Sequence, residues 1–205
     1  MAEKRLARLV VLISGNGSNL QALIDACESG QLQATIVAVI CNRHEAYGVQ
    51  RAAQHHLLTL IQPYQGLSRA EYDTGLSQLV SPFEPDWIIL AGWMRLLTLN
   101  FLQHFPDRVI NLHPALPGQF PGTKSIERAF EAAQQGKIDH TGVMVHLVPD
   151  EGVDNGPVLA SQIVPIHPDD TLETLTERVH AVEHELLVKT IHKLIKATLT
   201  PSHKS

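Results

Sequence analysis

Leu9-Val10-Val11-Leu12-Ile13-Ser14-Gly15-Asn16-Gly17-Ser18-Asn19-Leu20 reads as a strand, a tight glycine turn and the opening of a helix. The unbroken apolar run from Leu9 to Ile13 fits a strand covered on both faces, because a strand with one wet face would alternate apolar and polar side chains. The unit recurs along the chain. Thr35 to Ile40, Leu57 to Ile61, Trp87 to Ala91 and Val109 to Leu112 are further strand-length runs, separated by helix-like stretches at Leu20 to Ser29, Gly48 to His56, Arg69 to Val80 and Leu99 to Phe105. This alternation predicts right-handed βαβ units and a mainly parallel, twisted sheet: an α/β, Rossmann-like domain. After Ser125 the order changes. A helix from Ser125 to Gln135 leads to two strand-like runs, Gly142 to Leu147 and Val158 to Val164, which predict an antiparallel element in the C-terminal part. A long helix from Thr171 to about Ala197 follows, with Asp170 expected as its cap and Glu173 in the capping-box position. Residues 1–200 read as one domain and 201–205 as a disordered tail.

A formal net charge of −5 over 205 residues argues against a polyanion-binding surface, and hence against nucleic acid, while leaving room for a pocket that holds one phosphate. The apolar run near the N-terminus is too short for a signal segment or a membrane span, so the chain reads as soluble and cytoplasmic. Cys27 and Cys41 lack CxxC spacing and read as reduced thiols. None of the 12 histidines falls in an HxH or HExxH pattern or pairs with cysteine, and no metal is expected. His55 and His56, adjacent on a helix, would face different directions.

Three segments carry chemistry. The glycine loop lacks the third glycine of a dinucleotide fingerprint, Leu20 standing there, and Cys41-Asn42-Arg43 replace the acidic residue that would end the second strand. A single phosphate monoester held by backbone N–H groups, Ser18 and Asn19 fits better; the plain alternative is a turn with Ser18 as N-cap. Gly92-Trp93-Met94-Arg95-Leu96-Leu97 ends the fourth strand and fits one wall of a pocket for a flat aromatic ligand, or else ordinary packing with Arg95 reaching to the surface. Asn111-Leu112-His113-Pro114 places an amide and an imidazole two residues apart, hence on one side of the sheet. With a carboxylate to fix the imidazole, for which Asp154 stands ready, that is equipment for acyl transfer to an external amine. His146, at a strand end eight residues before Asp154, is the next candidate.

Val10 to Gln21, Leu90 to Arg95, Asn111 to Pro114, Val145 to Val148 and Asp154 to Pro157 occur in an order that resembles the phosphoribosylglycinamide formyltransferases, a folate-dependent family, from about Arg8 to about Ile195. The resemblance implies the formyltransferase fold and transfer of a formyl group from the co-substrate 10-formyltetrahydrofolate to the amine of glycinamide ribonucleotide, by a monomer or homodimer. It implies Asn111, His113 and Asp154 as the catalytic trio, with Asp154 raising the pKa of His113. It also implies Gly17, Ser18, Asn19, Arg69 and Glu183 as ribonucleotide contacts. For the folate it implies Met94, Arg95, Leu96, Leu97, Asn111, Val148, Asp150 and Asp154. The chain departs from the family pattern at Pro114-Ala115-Leu116-Pro117-Gly118, at Lys124, where histidine is common, and at Leu187-Val188. Two other readings compete: a 10-formyltetrahydrofolate hydrolase with water as acceptor, which would bring a further regulatory domain, and a non-catalytic nucleotide-binding module, which would not need the trio.

Overall fold

Residue by residue, the apolar runs become strands and the stretches between them helices. The computed structural model describes residues 5–199, so the expected tail at 201–205 lies outside the described residues. In chain order the elements are β1 (Ala7–Ile13), α1 (Ser18–Glu28), β2 (Ala34–Cys41), α2 (Tyr47–Gln54), β3 (Thr59–Ile61), α3 (Arg69–Val80), β4 (Trp87–Leu90), α4 (Leu99–Leu102), β5 (Val109–His113), α5 (Ser125–Gln134), β6 (His140–Leu147), β7 (Val158–Pro165) and α6 (Leu172–Leu199). They build one seven-stranded sheet in the order β3-β2-β1-β4-β5-β6-β7. Pairing is parallel from β3 to β5 and antiparallel from β5 to β7.

Strand β1 shows why its sequence does not alternate. Leu9, Val11 and Ile13 face a core that includes Leu20 and Leu23 of α1 and Leu187 and Ile191 of α6. Val10 and Leu12 face a second core with Tyr72 and Leu76 of α3 and Phe101 of α4. All five of these side chains are sealed from solvent. The chain order reverses between β1 and β4, and open α/β sheets bind ligands beyond the strand ends at such a point. The glycine loop leaves β1 there and the Gly92–Leu97 segment leaves β4. Ser14 ties them together: its N–H donates to the Gly92 carbonyl at 3.1 Å, and its hydroxyl accepts from the Met94 N–H at 2.8 Å.

Four local expectations are corrected. Strand β3 begins at Thr59, not Leu57, and Leu58 is exposed. Helix α4 stops at Leu102 after a single turn. Helix α2 ends at Gln54; His55 forms its C-cap and His56 turns left-handed at φ 55°, so the pair closes the helix instead of riding on it. At α6 the cap is Thr171: its hydroxyl accepts from Thr174 N–H at 3.2 Å and Thr174 returns the bond at 3.0 Å, a reciprocal box without Glu173. Asp170 is occupied elsewhere, accepting both terminal nitrogens of Arg178 at 2.7 and 2.6 Å. Both cysteines are free, Cys41 buried and Cys27 half-buried.

The glycine loop is set by backbone contact with α2. Gly17 caps α1 at φ 76°, in the left-handed region where glycine has no Cβ penalty. A Cβ there would lie 2.6 Å from the Gly48 Cα, whereas one at Gly15 would meet nothing within 4 Å. Gly17→Ala is therefore expected to lower the unfolding free energy by ~1–3 kcal/mol in urea titration, and Gly15→Ala by less than about 0.5 kcal/mol. Equal losses would show that the approach of α2 does not fix this turn.

Candidate active site

Asn111 and His113 lie two residues apart on β5 and so share a face of the sheet. Strand β6 adds to that face, because residues directly opposite in an antiparallel pair have neighbouring side chains. Asn111 is opposite His146 in the register, and their side-chain nitrogens, Nδ2 and Nε2, are 3.1 Å apart. His146 Nδ1 sits 2.8 Å from the Leu147 carbonyl oxygen. That oxygen can only accept, so Nδ1 carries a proton, and Nε2 is left facing the Asn111 amide.

The loop between β6 and β7 brings the carboxylate. Asp154 Oδ1 accepts from Asn111 Nδ2 at 3.0 Å and Oδ2 accepts from the Gly122 N–H at 2.8 Å. Oδ2 is also 3.2 Å from His113 Nδ1, and Oδ1 is 3.6 Å from His146 Nε2. Two backbone features let Asp154 reach this depth. Its own φ is +50°, a region that aspartate enters more readily than most residues. Gly156 lies against the end of β6, where a Cβ would fall 1.9 Å from the Leu147 carbonyl oxygen. The other ring nitrogen of His113, Nε2, is 3.2 Å from the Phe120 carbonyl oxygen. Phe120 is left-handed at φ 43°, strained for an aromatic residue, and the same oxygen accepts from the Ser125 hydroxyl at 2.9 Å.

Burial pushes the His113 pKa down; Asp154 and the Phe120 carbonyl pull it back up, and the net shift is downward. The expected lift from Asp154 is thus present but outweighed, because the imidazole is only 4% exposed and burial disfavours its charged form. For Asp154 burial acts upward, but the hydrogen bonds from His146 and Gly122 and the charges of the two histidines outweigh it and hold the carboxyl below its usual range.

The trio opens on a cleft of about 420 Å³ that every expected folate residue lines: Met94, Arg95, Leu96, Leu97, Asn111, Val148, Asp150 and Asp154, with Lys124 also on its wall. Met94 and Leu96 are 62% and 45% exposed, apolar surface suited to cover by a ligand. The Arg95 guanidinium neither packs in the core nor reaches free into solvent. It lies 4.2 Å from the Tyr64 ring centroid and 4.5 Å from that of Tyr72.

Four of the five expected ribonucleotide residues gather at the start of α1. Gly17 is the cap, Ser18 is already helical and caps nothing, and Asn19 Nδ2 lies 3.5 Å from Oε2 of Glu183, which α6 supplies. Glu183 is 5% exposed, and burial pushes its pKa up to about 7 against the opposing bond from Asn19. The Asn19 Oδ1 is buried without a partner. Arg69 lies beside the Met94–Leu97 segment, with Nη2 3.4 Å from the Leu96 carbonyl oxygen and 3.9 Å from Glu151. Sequence reasoning did not single out Ser14, the Gly122 N–H, the Phe120 carbonyl or Glu151. Only Ser14 had a legible signal: it lies two residues beyond Leu12, which pairs with Leu90, and so beside Gly92. Among the described residues, no group of three or more His, Cys, Asp or Glu side chains is arranged to hold a metal ion, and no helix is long and apolar enough to cross a membrane.

Residues 7–191 match the family described as formyl transferase. The chain is 46% identical to the phosphoribosylglycinamide formyltransferase of Schizosaccharomyces pombe over 93% of its own length and 98% of that relative. It is 44% identical to the enzyme of that name from Dictyostelium discoideum, over 91% and 97% respectively. The fold superimposes on the crystal structure of glycinamide ribonucleotide transformylase 1 from Symbiobacterium toebii with a TM-score of 0.88 at 34% identity, covering 95% of this chain and 90% of that one. The sheet that reverses at β6, the polar trio beside that reversal and these full-length similarities agree: the chain belongs to the formyl transferase family.

Proposed function

We propose that this protein transfers the formyl group of 10-formyltetrahydrofolate to the primary amine of N1-(5-phospho-D-ribosyl)glycinamide, giving N-formylglycinamide ribonucleotide in de novo purine biosynthesis. The observation that carries the reading is the meeting of Asn111, His113 and Asp154 at the wall of one largely apolar cleft, in a chain of this family. Met94 to Leu97, Val148 and Asp150 hold the co-substrate, with Asn111 and Asp154 at its reacting end. Gly17, Ser18, Asn19 and Glu183 hold the ribonucleotide, and Arg69 supplies a further cation. The N-terminus of α1 has no acidic residue in its first turn, which leaves its N–H groups and dipole for a phosphate. The partners on this reading are small molecules, the protein is a monomer or homodimer, and it works in the cytoplasm, in keeping with two free thiols.

No residue needs to act as the nucleophile, since the attacking amine belongs to the substrate. Attack forms a C–N bond and a tetrahedral oxyanion; collapse breaks the bond to the folate nitrogen. One proton leaves the amine and one reaches the folate nitrogen, through His113 directly or through water. Asn111 donates to the oxyanion, a contribution of ~3–4 kcal/mol where such donors are removed from other enzymes. In the free site both Asn111 and His113 Nε2 have internal partners, His146 and the Phe120 carbonyl, which the substrate replaces. Asp154, kept ionised by its surroundings, orients the His113 ring and stabilises its charged form.

An absorbance assay of folate product with and without glycinamide ribonucleotide tests the whole reading. Turnover without the ribonucleotide would indicate a hydrolase, and none in either case a binding module. His113→Ala should fold normally and lose ~10²–10⁴ in kcat; retention of more than about half the rate would remove His113 from the chemistry. Asp154→Asn should lower kcat more than it raises either KM. It should also move the His113 limb of the pH–rate profile to lower pH, because the carboxylate is what pulls that pKa upward. A profile left in place would take Asp154 out of the mechanism.

Glu183 gives a test that needs no substrate. Its folded pKa of about 7 lies above the ordinary value of 4.5. The native state therefore binds more protons than the unfolded chain between those values, and stability falls as pH rises through that window. Glu183→Gln should be more stable than the wild type by roughly 1–3 kcal/mol at about pH 8 and equal to it near pH 4. Parallel stability curves for the two proteins would refute the buried, proton-binding Glu183.

A further inference from the structure

The two walls of the cleft are joined by one side chain. Glu151 belongs to the β6–β7 loop, three residues before Asp154. Its Oε1 accepts a hydrogen bond from the Leu99 N–H at 3.0 Å, and its Oε2 lies 3.9 Å from Arg69 Nη2. Leu99 opens α4, immediately after the Met94–Leu97 wall, where the cap residue Thr98 makes no side-chain cap bond. Glu151 thus takes up an N–H that the short helix leaves open.

That wall is a firm anchor. Asp73, 1% exposed, accepts from the Thr98 N–H at 2.6 Å, and Arg69 holds the Leu96 carbonyl. The loop is not comparably held. Among the described residues, the hydrogen bonds and ion pairs that leave it between Pro149 and Gly156 come from the side chains of Glu151 and Asp154. The bond from Gly152 N–H to Asp150 stays inside the loop. The pair with Arg69 is long and half-exposed on both sides, so solvent screens it and the bond from Leu99 carries the tie.

We propose that Glu151 is a positioning residue for formyl transfer. Its carboxylate, by accepting from Leu99, ties the Asp154 loop to the opposite wall and fixes the height at which Asp154 meets His113. The inference rests on the reading that the trio carries the reaction, and goes beyond it in placing part of the catalytic geometry on a group that touches no reacting atom.

Glu151→Ala and Glu151→Gln separate the parts. The alanine variant should lose ~10–100-fold in kcat, the scale on which small misplacements act, and its His113 limb should move to lower pH in the direction of Asp154→Asn. The glutamine variant keeps an oxygen for Leu99 and loses only the screened charge, so it should stay within about fivefold of wild type with its profile in place. An alanine variant with unchanged kcat and profile would overturn the inference, as would a glutamine variant as slow as alanine. Amide exchange supplies an arm independent of turnover: in Glu151→Ala both Leu99 and Gly122, the latter donating to Asp154, should exchange faster than in wild type. If the wild type transfers no formyl group but both amides are loosened, the tie stands and the functional reading falls. Unchanged exchange at Gly122 would sink the tie whatever the activity.

Discussion

A carboxylate taken out of water has to be met by donors and positive charge or it takes up a proton instead, and in this protein that demand falls on Asp154, whose side chain is 11% exposed. The four groups that meet it come from three places in the chain. Asn111 and His113 come from β5, His146 from β6, and the Gly122 N–H from the segment before α5. Removing one of these partners leaves the others to carry more of the charge in a largely enclosed site. The pairing of β5 with β6, the left-handed turns at Phe120 and Asp154 and the depth of the loop are parts of one solution to that constraint.

The reversal of chain direction at β6 makes the solution available. The connection through α5 would be long enough for a parallel neighbour as well, but such a strand would run the other way. The antiparallel one sets His146 straight across from Asn111 and, at its far end, turns back over the same face with Asp154. In the parallel half of the sheet the reversal of chain order between β1 and β4 opens the crevice, and Ser14 fixes the glycine loop to the Met94 wall across it. One sheet thus presents both the start of α1 and the Asn111–His113–Asp154 cluster.

The regular elements were legible because burial on both sheet faces writes continuous apolar runs, and because the glycine loop and the Asn111–His113 spacing are local patterns. Helix α3 falls where its periodicity puts it. The errors cluster where a tertiary contact overrides local preference. Thr171 and Thr174 cap α6 since Arg178 claims Asp170, and α2 stops before His55, whose ring is 2.8 Å from Glu28. The trio could be named from strand spacing and resemblance, but the direction of the His113 shift could not. It depends on how completely the ring is enclosed, which no spacing encodes. The Phe120 carbonyl and Gly122 N–H were invisible for a plainer reason: backbone groups carry no residue identity, and their aim is set by dihedral angles alone.

Gly156 has no side chain to offer a substrate, and its one qualification is that absence where the loop presses on the Leu147 carbonyl. Any other residue there would push the turn outward by roughly the width of an atom, carrying Asp154 with it. Tolerance to substitution along this loop is therefore set by reach as much as by reactivity. A survey of variants would find an inert glycine as restricted as the carboxylate two positions away. The imprint of the reaction on the sequence is wider than the set of groups that perform it, and part of that imprint is written in what a residue lacks.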